Sequence, residues 1–226
     1  MRMSDTSMSR RHFLKVFGAT GASLVIGVYV GGCDEAEEVT TTTGTSGTVG
    51  TTTTTLVEGT LEPNIYLKVA ADGAVIVTAF RSEMGQGIRT AIAMILAEEL
   101  DADWKDVSIE QAPADSRYGD QITGGSQSVS TIYSTLRRAG AAARWMLVEA
   151  AARGWDVRHE DCATVAGAVV HPDGLQTLGY GALAGSASLI EPPKSDEVDL
   201  KDPADFRIIG SDLAHFDGPD IVTGRA

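Results

Sequence analysis

The sequence predicts an α+β fold, a small mixed sheet packed by two main helices. Three patterns predict it. Two β-rich runs flank Asp72-Gly73, apolar residues recur at helical spacing from Ile88 to Leu100, and a longer apolar stripe runs from Val129 to Ala150. In the first run Ile65, Leu67 and Val69 alternate with Tyr66, Lys68 and Ala70. In the second, Ala74 to Phe80 is rich in β-formers, so the two runs read as a hairpin. Structure is expected to start near Pro63. Ile88, Ile92, Ile95, Leu96 and Leu100 share one helix face, with Glu98 and Glu99 expected in solvent. Val107 to Glu110 reads as a short strand. Val129, Ile132, Tyr133, Leu136, Ala139, Ala143, Met146, Leu147 and Ala150 step by threes and fours over roughly seven turns. Arg137, Arg138 and Arg144 lie at the edge of this stripe, which needs a covering surface, and Gly154 marks its expected end. Farther on, Val165, Val169 and Val170 suggest a hairpin through Gly167, and Tyr180 to Ala184 a short helix.

Composition narrows the function. Asp and Glu outnumber Lys and Arg by 31 to 18, and the net charge of −13 argues against a nucleic-acid partner, which needs clustered positive charge. With 43% hydrophobic residues the chain is not wholly disordered. Its two cysteines, Cys33 and Cys162, cannot build a disulfide scaffold. His12, His159, His171 and His215 are too scattered to suggest a metal cage.

Residues 1–33 read as an address. Arg10-Arg11, followed by Phe13-Leu14-Lys15 and a Gly/Ala-rich apolar run to Val30, has the form of a twin-arginine export signal. Gly31-Gly32-Cys33 resembles a lipoprotein processing site, and lipid on Cys33 would hold the protein to a membrane surface without spanning it. The alternative is a simple signal with an incidental cysteine. Residues 34–61, acidic and then almost entirely Thr and Gly, have no apolar face to bury and read as a solvated tether. An α+β domain is expected over 62–190. Residues 191–226, polar and Pro-bearing, read as a linker toward a further domain.

Two glycine-bearing loops carry the visible chemistry. Arg81 to Gly87 contains Met84-Gly85-Gln86-Gly87, and a second loop over residues 113–125 closes with Thr123-Gly124-Gly125-Ser126-Gln127-Ser128. Each is expected to run straight into a helix, whose first amides are unpaired and carry the positive dipole end. Glycines let a ligand approach the backbone, and hydroxyls add donors, which suits a phosphate or a polar heteroaromatic ring. Gln86 offers such a ring both a donor and an acceptor. Gly-rich turns before helices are also ordinary helix entries. Neither loop matches GxGxxG or GxxxxGK[ST].

Taken together, Glu83-Met84-Gly85-Gln86-Gly87-Ile88-Arg89-Thr90, Ala97-Glu98-Glu99-Leu100 and Thr123-Gly124-Gly125-Ser126-Gln127-Ser128 resemble the molybdopterin-binding large subunit of the xanthine dehydrogenase/aldehyde oxidase superfamily, of the isoquinoline 1-oxidoreductase beta-subunit type. Arg137 to Arg144 and Leu200 to Phe206 fit the same branch, so the resemblance covers residues 62–226. It implies that Met84, Gly85, Gln86 and Gly87 lie along the pterin of a molybdenum cofactor. It also implies that Gly125, Ser126 and Ser128, with Thr123 and Gln127 nearby, meet the pterin phosphate. The cofactor is expected as molybdenum–molybdopterin cytosine dinucleotide, its metal held by the cofactor's own sulfurs.

The implied activity is oxidative hydroxylation of an N-heterocycle or aldehyde. Electrons would leave through iron–sulfur clusters on a small [2Fe-2S] partner subunit. The family's large subunit is much longer, and its metal-proximal glutamate lies in segments beyond position 226. This chain is therefore expected to supply cofactor walls, as an N-terminal portion, and no catalytic residue. The alternative is a stand-alone exported lipoprotein that binds without catalysis. A third reading is a truncated frame that never folds. Glu83 is expected to be structural, Trp104, Trp145 and Trp155 to pack, His159 and Cys162 to form no metal site, and His215 receives no role.

Overall fold

The computed structural model describes residues 56–225. A four-stranded sheet comes first: β1 (Leu61–Asn64), β2 (Leu67–Val69), β3 (Val75–Ala79) and β4 (Val107–Gln111), in that spatial order. β1–β2 and β2–β3 are antiparallel and β3–β4 is parallel, so the sheet is mixed, as the sequence predicts. Local side chains set its turns. Asn64 Oδ1 accepts the Tyr66 N–H at 3.0 Å, which bends the chain from β1 into β2 and leaves Ile65 38% exposed at the corner. The expected strand therefore begins at Leu67, not Ile65. β1 has no strand signal in the sequence, because it carries Pro63, which an edge strand tolerates. At the next turn Asp72 Oδ1 accepts the Ala74 N–H, and Gly73 takes φ +92°.

A parallel pair needs a crossover, and α1 (Ile88–Leu100) supplies it while packing on β3 and β4. The register pairs Val75 with Val107 and Ala79 with Gln111. Both strands thus end side by side, and the loops that follow them leave from the same edge of the sheet.

α2 (Tyr133–Trp155) crosses α1. It starts four residues later than the apolar stripe suggests, because Val129 to Ile132 form a turn closed by the Ile132 N–H on the Val129 carbonyl. It ends at Trp155, past Gly154. There Asp156 adopts φ 55° and sends its N–H to the Ala152 and Arg153 carbonyls, the job a C-terminal glycine would do. Gly140 lies at the crossing: a Cβ there would sit 2.6 Å from the Leu96 carbonyl oxygen and 2.9 Å from Glu99 Cβ. α3 (Tyr180–Ala187) also packs on α2, and the buried Tyr180 hydroxyl donates to the Leu100 carbonyl at 2.6 Å. The stripe on α2 is thus covered by α1 and α3. The hairpin through Gly167 is β5 (Ala163–Val165) with β6 (Ala168–Val170), and β7 (Thr177–Gly179) adds a third antiparallel strand.

The largest departure from expectation concerns Glu98 and Glu99. They are 1% and 0% exposed, not solvated. The chain from Lys201 to Asp217 lies along α1 and, together with α2, supplies their partners. Glu99 Oε1 accepts from Arg137 Nε at 2.6 Å, and Glu99 Oε2 from the Lys201 N–H at 3.1 Å. Glu98 Oε2 accepts three consecutive N–H groups, from Arg207, Ile208 and Ile209, at 2.9, 2.6 and 3.0 Å. The Lys201 ammonium bridges Glu98 Oε1 and Asp101 Oδ1. Burial alone would raise the Glu98 carboxyl, but those three N–H groups and Lys201 outweigh it and hold it below the ordinary glutamate range. The stretch read as a linker is therefore fastened to the helices as a strap. It leads into α4 (Gly218–Thr223).

Candidate functional site

At the edge where β3 and β4 end, their two loops face each other across a cleft of about 340 Å³. Crevices beyond the carboxyl ends of parallel strands are where such sheets bind ligands. One wall is Met84, Gln86 and Gly87, continued by Ile88 and Ala91 of α1. The other is Thr123 to Ser126, with Ser128 and Val129. The geometry brings together Met84, Gln86, Gly87, Thr123, Gly125, Ser126 and Ser128. Gly85 and Gln127 do not line the cleft, and the Gln127 side chain lies back toward Gly125. Arg10, Arg11 and Cys33 lie outside the described residues.

The first loop is built around one carboxylate. Glu83 Oε1 accepts the N–H groups of Gly85 and Gly87 at 2.8 and 3.0 Å, and Oε2 accepts that of Arg89 at 3.2 Å. Turning those amides onto one side chain puts Gly85 at φ +94° and Gly87 at φ +84°, which glycine allows. Burial pushes the Glu83 carboxyl up, but the amides of Gly87, Arg89 and Gly85 and the charge of His215 outweigh it, so it is held low. The structural role expected of Glu83 is thus a specific one. It also narrows an expectation: the loop amides of Gly85 and Gly87 and the helix-start amide of Arg89 are taken by the chain's own anion. Gln86 is tied down as well, its Oε1 accepting the Met84 N–H at 2.6 Å and its Nε2 donating to the Ser82 carbonyl at 2.9 Å. What this loop turns to the cleft is neutral, with Met84 71% exposed at the lip.

The second loop is different. Gly125 and Ser126 take φ 60° and 58° in a turn closed by the Gln127 N–H on the Gly124 carbonyl. Among the described residues, the N–H groups of Gly125 and Ser126 and the hydroxyls of Ser126 and Ser128 have no hydrogen-bond partner. Adjacent left-handed residues with free N–H groups form the kind of concavity that takes anions. The Val129–Ile132 turn separates this loop from α2, so it does not run straight into a helix as expected.

Sequence reading missed the residue that joins the two loops. Arg81, 3% exposed, donates from Nη1 to Asp120 Oδ2 and to the Ile122 carbonyl, and from Nη2 to Thr131 Oγ1. Thr123 Oγ1 adds a bond to the Ser82 carbonyl at 2.8 Å. Its one sequence signal was a cation directly after the apolar run that ends at Phe80.

Elsewhere the chemistry is structural. Among the described residues no group of three or more His, Cys, Asp or Glu side chains could hold a metal ion, and no helix is long and apolar enough to cross a membrane. His159 stacks on Trp145 and meets Glu149 at 3.2 Å, and Trp104 and Trp155 pack edge-on to Phe216 and His171. Burial pushes the Cys162 thiol up, which disfavours a reactive thiolate.

The fold and cleft define a small α+β domain with an anion-friendly loop facing a neutral one. Residues 32–217 match the model of the molybdopterin cofactor-binding domain, and the chain belongs to that family. It is 29% identical to the isoquinoline 1-oxidoreductase subunit beta of Brevundimonas diminuta over 257 aligned residues, 97% of this chain and 31% of that protein. It is 36% identical to the membrane-bound aldehyde dehydrogenase [pyrroloquinoline-quinone] of Gluconacetobacter polyoxogenes over 173 residues, 75% of this chain and 22% of that one. The chain thus spans less than a third of either relative. Among solved structures, the Cu,Mo-CO dehydrogenase aligns with a TM-score of 0.48 at 23% identity, over 56% of this chain and 17% of the other.

Proposed function

We propose that this chain is a cofactor-holding part of an exported molybdenum hydroxylase acting on N-heterocycles or aldehydes. One observation carries the reading: the two loops close on one cleft with opposite electrical character. The neutral wall at Met84, Gln86 and Gly87, already neutralised by Glu83, suits an uncharged pterin ring. The free amides and hydroxyls at Gly125, Ser126 and Ser128 suit its phosphate. The residues present fit the group: the first loop would hold its ring and the second its phosphate. A cleft of about 340 Å³ takes a fused ring with one phosphate. The cytosine end of a dinucleotide would extend out of it.

When bound, the molybdenum cofactor would supply the oxidative chemistry. This chain's residues bind, orient and exclude water. Met84 at the lip and Ile88 and Ala91 behind it give the ring a dry face, while Arg81 fixes the distance between the walls. The relatives' names support N-heterocycles and aldehydes as substrates. An iron–sulfur partner subunit, the remaining large-subunit segments, export through Arg10-Arg11 and lipid at Cys33 complete the proposal.

The test is to express the full chain in a host that makes the cofactor, purify it, and assay molybdenum together with the fluorescence of oxidised pterin. Both should co-purify with the chain. Replacing Ser126 and Ser128 together by Ala should lower retention about tenfold, as two lost hydrogen bonds require. A folded wild-type protein free of metal and pterin would refute the reading.

A further inference from the structure

The strap does more than cover Glu98 and Glu99, because its far end reaches the cofactor loop. Phe216 donates its N–H to Thr90 Oγ1 at 2.9 Å, and Asp217 Oδ1 accepts from Arg89 Nη1 at 2.8 Å. These two bonds pin the strap to the first turn of α1. Between them and the loop stands His215. Its Nε2 lies 3.6 Å from Glu83 Oε1, and its ring carbon Cδ2 is 3.7 Å from where a Cβ on Gly87 would be. Among the described residues both ring nitrogens are buried without a hydrogen-bond partner, as are Arg89 Nε and Asp217 Oδ2. A buried polar ring left unbonded calls for an explanation. The carboxylate that shapes the loop offers an acceptor 3.6 Å from Nε2.

We propose that His215 is a positioning residue for the cofactor loop: from the strap it braces Glu83, and Glu83 in turn fixes the amides of Gly85, Gly87 and Arg89. The brace rests on the cofactor reading only for its purpose. Its geometry stands on its own. The ring closes the small gap to Glu83 Oε1 by donating from Nε2, so the loop's shape depends on a contact 132 residues away in the chain. Arg89 and Asp217 hold the strap end in place.

The experiment is amide hydrogen exchange on the full chain, comparing wild type with His215→Ala and His215→Gln. In His215→Ala, exchange across residues 83–89 should rise about tenfold while β2, β3 and the centre of α2 stay protected. His215→Gln keeps a donor near the Nε2 position and should restore protection. A general loss of stability would instead raise exchange everywhere and would not be rescued by Gln. Unchanged exchange at 83–89 in His215→Ala overturns the proposal. So does an equal rise in His215→Gln. If His215→Ala does not fold, His215→Gln against Glu83→Gln decides. The first must match wild type and the second must open the loop, and any other pattern overturns the brace. A parallel titration with free pterin separates the two readings. Local opening in a protein that binds no pterin keeps the brace and removes the cofactor role. Pterin binding weakened about threefold by His215→Ala and restored by Gln supports both.

Discussion

Glu99 has no solvent exposure, and Arg137, Arg144 and the Lys201 N–H converge on it. Removing one side of a buried ion pair strands the other, at a cost of several kcal/mol. Glu99→Ala is expected to lower the unfolding free energy by about 3 kcal/mol in urea denaturation. Glu98 makes a different prediction, because its carboxyl is held below the ordinary glutamate value of 4.5 in the fold. A depressed carboxyl stabilises the fold fully above its unfolded value, and that contribution is lost as pH falls through the folded value. Denaturation midpoints should therefore drop below about pH 4.5, and Glu98→Gln should make the profile flatter across that window. Both residues sit on the helical pattern as exposed positions, and the sequence offered no hint of their burial. Their partners on α2 lie about forty positions downstream and those on the strap about a hundred, and helical periodicity carries no information about contacts so distant.

The helix pair turns on Gly140. Alanine there would favour the helix intrinsically by about 1 kcal/mol. The added methyl would also meet the Leu96 carbonyl at 2.6 Å, and a backbone atom in a packed helix cannot step aside. The clash wins, and Gly140→Ala should destabilise by about 2 kcal/mol in the same assay. Gly181→Ala on α3 belongs with it, since its Cβ would stand 2.5 Å from the Ala71 carbonyl. Elements of this kind were readable in part. The hairpin at Asp72-Gly73, the crossover helix, β4, the long α2 and the short α3 all follow from periodicity and turn chemistry. Their ends did not, because Asp156 took a position usually given to glycine and Val129–Ile132 stayed a turn despite continuing the apolar stripe. The two loops were legible as glycine- and hydroxyl-bearing segments. Which of their donors stay free was not, because Glu83 and Gln86 satisfy the first loop through contacts that composition cannot show.

Across the whole molecule the strap and the domain depend on each other. Ending the chain at residue 190 would uncover Glu98, Glu99 and Asp101 and strip them of Lys201 and the N–H groups of Arg207 to Ile209, along with the packing of Ile208 and Ile209 on the core. Such a truncated chain is expected to show no cooperative thermal transition by circular dichroism, whereas the full chain should melt in one step. The placement of the cleft is likewise a property of the whole topology. Both loops hang from neighbouring strands that run the same way, and this is why segments some forty residues apart in sequence meet.

That shared root has a further consequence for how the protein tolerates change. Extra residues inserted at Pro113–Ser116 would merely lengthen an overhang. Excising Ser108 would slide everything after it by one pleat, turn Glu110 inward, and uncouple Ala79 from Gln111. The cleft would then be dismantled by a deletion that touches none of the residues lining it.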